Sequence, residues 1–561
     1  MPKKIITFFN REFNGINEAA LLLGGFALLS QILGLIRDRI LASYIGPGPV
    51  LDIYYAAFRI PDFLYISIAS LASVTVLLPF LINKVKEDDN NHNAKEFLNN
   101  VFSAYIFFMI ISCIIIAILM PYLASYIAPG FSESQISSLI MTSRIMLLSP
   151  IFIGFSNLIG SVTQLFKNFF VFSLSPIFYN LGILFGILYL YPIFGVYGLA
   201  YGVIIGAVMH LCIQIPSVIN HGLFPKLIFK IKWKEIIEVM KLSLPRTLAL
   251  SCNSLAFIVL ISMASTLKQG SISLFTFSYN LQSVPVGIIG ISYSVAAFPV
   301  LAKAFSANDM DKFINSILGT ARQIIFWSLP IIALIVVLRA QIVRVILGSN
   351  AFSWADTRLT AASIALFIIS LVSQSLVLLF VRGYYAASNT RKPLFVNIFS
   401  SFMVIIFALL ILQTFKYYPN VLNLLEIILR VKNVSGTIML SLPIAYALGS
   451  LMNFFLIWYL FKKDYLKNSR LLLIKTFTES FIGALTMGIF AYISLNFFST
   501  IFTLDSFIGI LSQGFISGII GIIFGLFVLY ILKNNELLSV TKALTNKFWR
   551  KNVVVPEQTE L

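Results

Sequence analysis

Apolar residues fill this chain in long blocks, and polar residues punctuate them. Runs of roughly 18–30 apolar residues bounded by charge, Pro or Gly recur from Ala19 to Leu532, the length at which a helix crosses a bilayer. The pattern predicts about fourteen spans. The first runs from about Ala19 to Ile45 and the second from about Leu51 to Asn83, with a kink at Pro61. The seventh covers about Leu242 to Leu267, the eighth about Ser273 to Phe305, and the last two about Leu471–Phe498 and Phe507–Leu532. Met1–Glu18 reads as an interfacial helix ahead of the first span. Lys416–Ser435, which contains LNLLEIILRV, reads as an outer-loop surface helix.

The blocks are doubled. SVTVLLPFLINK at Ser73–Lys84 resembles SVAAFPVLAK at Ser294–Lys303, and each is followed by an acidic, Asn-containing loop and a Phe-rich helix. SPIFYNLG at Ser175–Gly182 matches KPLFVNIF at Lys392–Phe399. Pro79 to Pro176 is 97 residues and Pro299 to Pro393 is 94. Similar features at nearly equal spacing predict two six-helix lobes of the same orientation, as in transporters that rock two lobes about a midplane site. The expected organisation is a cytoplasmic segment 1–18, an N-lobe 19–220, a C-lobe 221–465, a helix pair 466–533 and a cytoplasmic tail 534–561.

Composition agrees with an all-α polytopic membrane protein. Hydrophobic residues make up 59% and charged residues 11%, against roughly 25% charged in a soluble domain. The net charge of +18 is spread through short loops without aromatic interleaving, which excludes a nucleic-acid partner. Its concentration on alternate loops places both termini in the cytoplasm. Cys113, Cys212 and Cys252 lie in apolar stretches without metal spacing, and His92, His210 and His221 are the only histidines. Neither metal binding nor His-based catalysis has material here, so the chain reads as a transporter and not an enzyme, with no cofactor.

The charges that do enter the spans therefore need a reason. Gln31–Leu64 places Arg37, Asp38, Arg39, Asp52, Arg59 and Asp62 among apolar residues. An ionisable group at bilayer depth costs roughly 2.5–3.5 kcal/mol on insertion scales, so it normally faces a polar cavity. Neighbouring residues on a helix point about 100° apart, so Arg37, Asp38 and Arg39 do not share one direction. Asp52 and Arg59 are seven apart on one face, and Arg59 and Asp62 are three apart. Guanidinium groups beside a kink suit a phosphate-bearing ligand. Arg144 and Arg246 lie near span ends, where snorkelling to the interface explains them. In the second half the mirrored position is polar but uncharged: Tyr279, Asn280, Gln282 and Ser283 precede Pro285 and Gly287, a pattern that predicts a broken or flexible helix near a site.

SQILGLIRDRILASYIGPGPVLDIYYAAFRIPDFL at 30–64 resembles the opening of the MurJ (MviN) family. APGF at 128–131, SRIMLLSPIFIGFSNLIGSVTQLFKNFFVFSLSPIFYNLGI at 143–183 and NLQSVPVGIIGISYSVAAFPVLAKAF at 280–305 are also similar to it. The resemblance implies the multidrug/oligosaccharidyl-lipid/polysaccharide exporter fold. It also implies movement of lipid II, the undecaprenyl-pyrophosphate-linked peptidoglycan precursor, from the inner to the outer leaflet by alternating access through a cationic central cavity. Arg37 and Asp38 match the family's Arg-Asp pair, Asp52 and Pro61 match as well, and Arg59 stands where the family has a basic residue. Gln31, Tyr65 and Asn280 stand where the family often has Arg, which keeps open another undecaprenyl-linked oligosaccharide or polysaccharide repeat as the substrate. The final helix pair is implied to form a groove for the lipid tail.

The expected substrate-binding residues are thus Arg37, Asp38, Arg59, Asp52, Asp62, Asn280 and Gln282. The expected partners are lipid II or a related lipid and the membrane itself, bound by a monomer in the bacterial cytoplasmic membrane. Membrane potential or a monovalent cation is the expected coupling.

Overall fold

The computed structural model describes residues 16–69, 74–86, 92–466, 471–502 and 506–541. The segment Met1–Gly15, the loop residues 87–91 and most of the tail fall outside the described residues. Helices dominate, and no strand occurs among the described residues. Helices are what a bilayer demands, because no water is present at depth to satisfy backbone N–H and C=O groups.

Eleven helices among the described residues are long and apolar enough to cross a membrane, or up to twelve if the pair Trp354–Ile368 and Leu371–Ala386, bent by 44°, is one span. These correspond to the third to fourteenth spans expected from the pattern. The first two expected spans lie outside that set, and they are the ones that carry the charges. The first is a helix of 29 residues, Ile16–Tyr44, which contains Arg37, Asp38 and Arg39. The second is broken into Pro49–Ala57, Arg59–Ala69 and Val74–Lys86. The break at Phe58 follows from Pro61, whose ring crowds the carbonyl of Ala57 and which has no N–H to give it. Pro285 acts more mildly. The helix Ser271–Pro285 widens into a π-helical segment, Val286–Ile291, and continues as Ser292–Ser306.

The chain divides into two compact units. One comprises residues 1–281, 346–360 and 393–449, and the other residues 282–345, 361–392 and 450–561. In the first unit, Phe169–Phe185 with its π-helical extension Gly186–Leu190 packs against Val196–Cys212. Glycine meets glycine along that crossing: a Cβ on Gly182 would strike the backbone of Gly206, and one on Gly186 would strike that of Gly202. Such small-xxx-small seams let helices approach where lipid removes the hydrophobic drive to associate. Nearby, Tyr105 donates its hydroxyl to the Pro150 carbonyl at 2.7 Å.

In the second unit, Leu471–Phe498 and Phe507–Ile531 pair closely, with Gly521 and Gly525 set against Ala491 and Met487. Residues 535–541 fold back on this pair. Glu536 meets Arg322 at 3.5 Å and accepts from Thr476 at 3.2 Å, while Asn534 donates to Glu479 at 2.9 Å. Phe326, Met487, Leu529 and Leu537 form an apolar cluster beside these contacts. A second polar knot lies at Asp464, which receives the Tyr384 hydroxyl at 2.8 Å and the Lys392 ammonium.

Candidate functional site

The charged positions of the first helix resolve into distinct roles. Arg37 folds back on its neighbour: Nε and Nη2 both donate to Oδ1 of Asp38, at 3.1 and 2.9 Å. Adjacent side chains diverge at Cβ, but the Arg stem is long enough to bend across that angle. Asp38 is 2% exposed, and its second oxygen, Oδ2, accepts from Nδ2 of Asn280 at 2.9 Å. Arg37 also reaches Asn180, Nη1 to Oδ1 at 3.4 Å, and the amide of Asn180 donates in turn to the Pro176 carbonyl at 3.0 Å. Arg39 turns elsewhere and donates to the backbone carbonyl of Ile346 at 3.3 Å.

Arg37, Asp38 and Asn280 thus come together, although 242 residues separate the last two. Arg37 and Asp38 form an ion pair at 2.9 Å. At this position Asn280 offers a neutral amide. The buried hydroxyl of Tyr55 has no hydrogen-bond partner among the described residues, and its ring meets that of Phe277 edge-on at 5.7 Å.

Asp52 is placed differently from a cavity-lining charge. It is 3% exposed, and both of its oxygens accept backbone N–H groups: Gly270 at 2.6 Å and Ser273 at 2.8 Å. It therefore caps the N-terminus of Ser271–Pro285 from a different helix, where the unpaired N–H groups and the helix dipole favour an anion. Gly270 has φ +91°, a conformation that suits glycine. The sequence suggested that Asp52 and Arg59 share one helical face, but the break at Phe58 intervenes.

Arg59 donates Nε to the carbonyl of Tyr55 at 3.0 Å, and its guanidinium carbon lies 4.8 Å from the centroid of the Phe257 ring. No ion pair joins it to Asp62 among the described residues. Asp62 instead lines a cavity of about 260 Å³ with Tyr65, Tyr179 and His210. Gln282 is 1% exposed and accepts from Gln374 at 3.3 Å. Arg144 donates to the Ala117 carbonyl at 2.9 Å, and the Arg246 side chain falls outside the described residues.

Sequence reasoning missed Asn180, Tyr55, Tyr179 and Phe257. Only Asn180 carried a signal: it sits in SPIFYNLG, and its counterpart in KPLFVNIF is Asn397, so the repeat itself holds an Asn at this point. Among the described residues no group of three or more His, Cys, Asp or Glu is placed to hold a metal ion.

Comparison with known proteins bears on this arrangement. A solved structure of lipid II flippase MurJ in an inward closed conformation superposes with a TM-score of 0.71 at 22% identity, covering 93% of this chain and 99% of that one. An inward-facing multidrug transporter of the MATE family, in the MOP superfamily, gives a TM-score of 0.62 at 18% identity over 78% of this chain and 96% of its own. The fold is therefore that of MurJ-like and MATE-like transporters. The probable lipid II flippase MurJ of Buchnera aphidicola from Schizaphis graminum is 27% identical over 69% of this chain and 76% of its own length. That of Haemophilus influenzae is 28% identical over 66% and 76%, and the lipid II flippase MurJ of Burkholderia cenocepacia is 24% identical over 67% and 74%. The family profile described as "Lipid II flippase MurJ" matches residues 41–512. A match over most of the chain, together with the shared fold, makes this multi-pass membrane protein a member of the MurJ family.

Proposed function

We propose that this protein flips lipid II from the inner to the outer leaflet of the bacterial cytoplasmic membrane and is not an enzyme. Membership of the MurJ family over residues 41–512 carries the reading. In it, Arg37 is the principal contact for pyrophosphate. Its guanidinium is fixed by Asp38 and Asn180, so little freedom is lost when a phosphate oxygen joins it. Asp38 holds that orientation, and Asn280 holds Asp38. Arg59, tied to Tyr55 and stacked near Phe257, supplies a second fixed positive charge. Asp52 serves the site indirectly, by seating the helix that carries Asn280.

The repeat-related segments 19–220 and 221–465 act as the two lobes of an alternating-access cycle, with both termini cytoplasmic. The pair Leu471–Phe498 and Phe507–Ile531 accompanies the lipid tail, which stays in the bilayer as the headgroup crosses. Each negative charge carried outward gains about 2.3 kcal/mol per 100 mV from the membrane potential, a sufficient coupling without a cofactor. The test is rescue of a bacterial strain depleted of its lipid II flippase. Restored growth and restored lipid II translocation are expected; failure despite full membrane expression rejects lipid II.

A second reading, a different undecaprenyl-linked oligosaccharide in the same path, is favoured by one observation. Tyr65 and Asn280 bring uncharged side chains where the resemblance implies arginines, Tyr65 accepting from Asn157 at 2.6 Å and Asn280 donating to Asp38 at 2.9 Å.

A further inference from the structure

The cavity beside Asp62 has a composition unlike that of the arginine-bearing helix next to it. It holds about 260 Å³ and is walled by Phe58, Tyr65, Met146, Tyr179 and His210, with Asp62 as its one charged lining residue. Among the described residues no hydrogen bond or ion pair reaches the Asp62 side chain, and Arg59 acts on its charge only through space. Arg59, three residues away, is committed to the Tyr55 carbonyl and the Phe257 ring. His210 is engaged at Nδ1 with the Ser156 hydroxyl at 2.7 Å, and the Tyr65 hydroxyl with the Asn157 amide.

A carboxylate at the mouth of a box of aromatic rings and a thioether selects a cation with an apolar stem. Aromatic walls attract a cation, the carboxylate supplies hydrogen-bond acceptors, and the apolar wall covers methylene groups. A bare metal ion is a poor fit. Hard cations take about six oxygen ligands, and no cluster of three ligating side chains occurs among the described residues. The volume is also several times the roughly 30 Å³ that one water occupies, so it suits an organic group.

We propose that this cavity binds a primary ammonium on a short alkyl stem and that, in the flipping cycle, it receives the free amine of the peptide carried by the lipid-linked substrate. The inference rests on the lipid II reading and names which part of that substrate Asp62 holds. Arg37 and Arg59 take the anionic pyrophosphate, and the cavity takes the opposite charge farther out on the headgroup. The two sites together fix orientation as well as affinity, because a ligand with only one of the two charges satisfies half of the surface.

Binding to full-length protein in lipid nanodiscs tests this, with two probes: lipid II with a free side-chain amine in its peptide, and the same lipid II with that amine N-acetylated. Wild-type protein is expected to prefer the free amine by roughly tenfold, the scale of one charge-assisted hydrogen bond. Asp62→Asn should bring the two probes to equal affinity, and Asp62→Glu should keep the preference. Asp62 faces the cavity and packs into no core, so the substitutions leave the fold in place. Equal affinity for both probes in the wild type, or a preference that survives in Asp62→Asn, overturns the assignment and leaves the lipid II reading standing. If neither probe binds, the lipid II reading itself falls, and this inference falls with it.

Discussion

The guanidinium of Arg37 and the carboxylate of Asp38, neighbours in the chain, share one oxygen: two N–H groups of the arginine converge on Oδ1 at 3.1 and 2.9 Å. The other oxygen of Asp38 is left to Asn280. Arg37 is therefore a positive charge held in one pose before any ligand arrives.

Arg37→Ala should abolish rescue of a flippase-depleted strain while membrane insertion stays normal. Arg37→Lys should also fail, since an ammonium cannot hold Asp38 through two N–H groups and reach Asn180 at the same time. Growth complementation alongside quantified membrane expression checks both. Wild-type growth of either variant would remove Arg37 from the transport path.

Asn280→Ala strips Asp38 of its second hydrogen bond but leaves the ion pair. A weaker phenotype than that of Arg37→Ala is expected, with translocation slowed by about tenfold, in line with a hydrogen bond to a charged group worth about 1.5–3 kcal/mol. Asn280→Arg, which installs the residue that the sequence resemblance implies there, should sustain growth. Translocation assays in proteoliposomes separate these cases.

The glycine seam predicts a stability effect far from any charge. Gly202→Val places a branched side chain where the backbone of Gly186 now sits. Overpacking of this kind typically costs about 1–3 kcal/mol, and more where only backbone can give way. Thermal unfolding in detergent should show a lower midpoint and reduced yield. Gly24→Ala, where a Cβ meets nothing within 4 Å, is the control expected to leave the midpoint unchanged.

The helix Pro419–Leu429 should lie in the membrane interface. It starts two residues after the spanning helix Arg391–Tyr417 ends, and Leu424 and Ile428 on it are 60% and 64% exposed. Tyr417 and Tyr418 beside it are exposed too, as in an aromatic belt. A polarity-sensitive dye on Leu424→Cys should report an apolar setting in liposomes, and the same dye on Asn423→Cys, about 100° round the helix, a more aqueous one. Identical spectra at the two positions would exclude an interfacial orientation.

Much of this architecture was legible because a bilayer imposes few choices. Apolar length located the third to fourteenth spans, and Pro61 located the break in the second. What could not be read was pairing across distance. Asp38 and Asn280 meet through tertiary packing, which no spacing rule along one helix contains. The partners of Asp52 were hidden for a related reason: a carboxylate at bilayer depth suggests a cavity, and no pattern along its own helix reveals the helix N-terminus that meets it. Spacing places Asp62 and Arg59 three apart on a helix, but it does not say what each one meets. The Tyr55 carbonyl and the Phe257 ring take the arginine.

The cap that Asp52 places on Ser271–Pro285 also sets an order of events during synthesis. Asp52 leaves the ribosome 218 residues before Gly270, its first partner. At about 5–20 residues per second, that is an interval of roughly ten to forty seconds in which the carboxylate sits in a nascent helix without its acceptor role fulfilled. Until the start of the eighth span has been made, Asp52 has neither of the backbone N–H groups that it accepts in the folded protein. Chains stalled before Gly270 would lack both partners of that buried carboxylate.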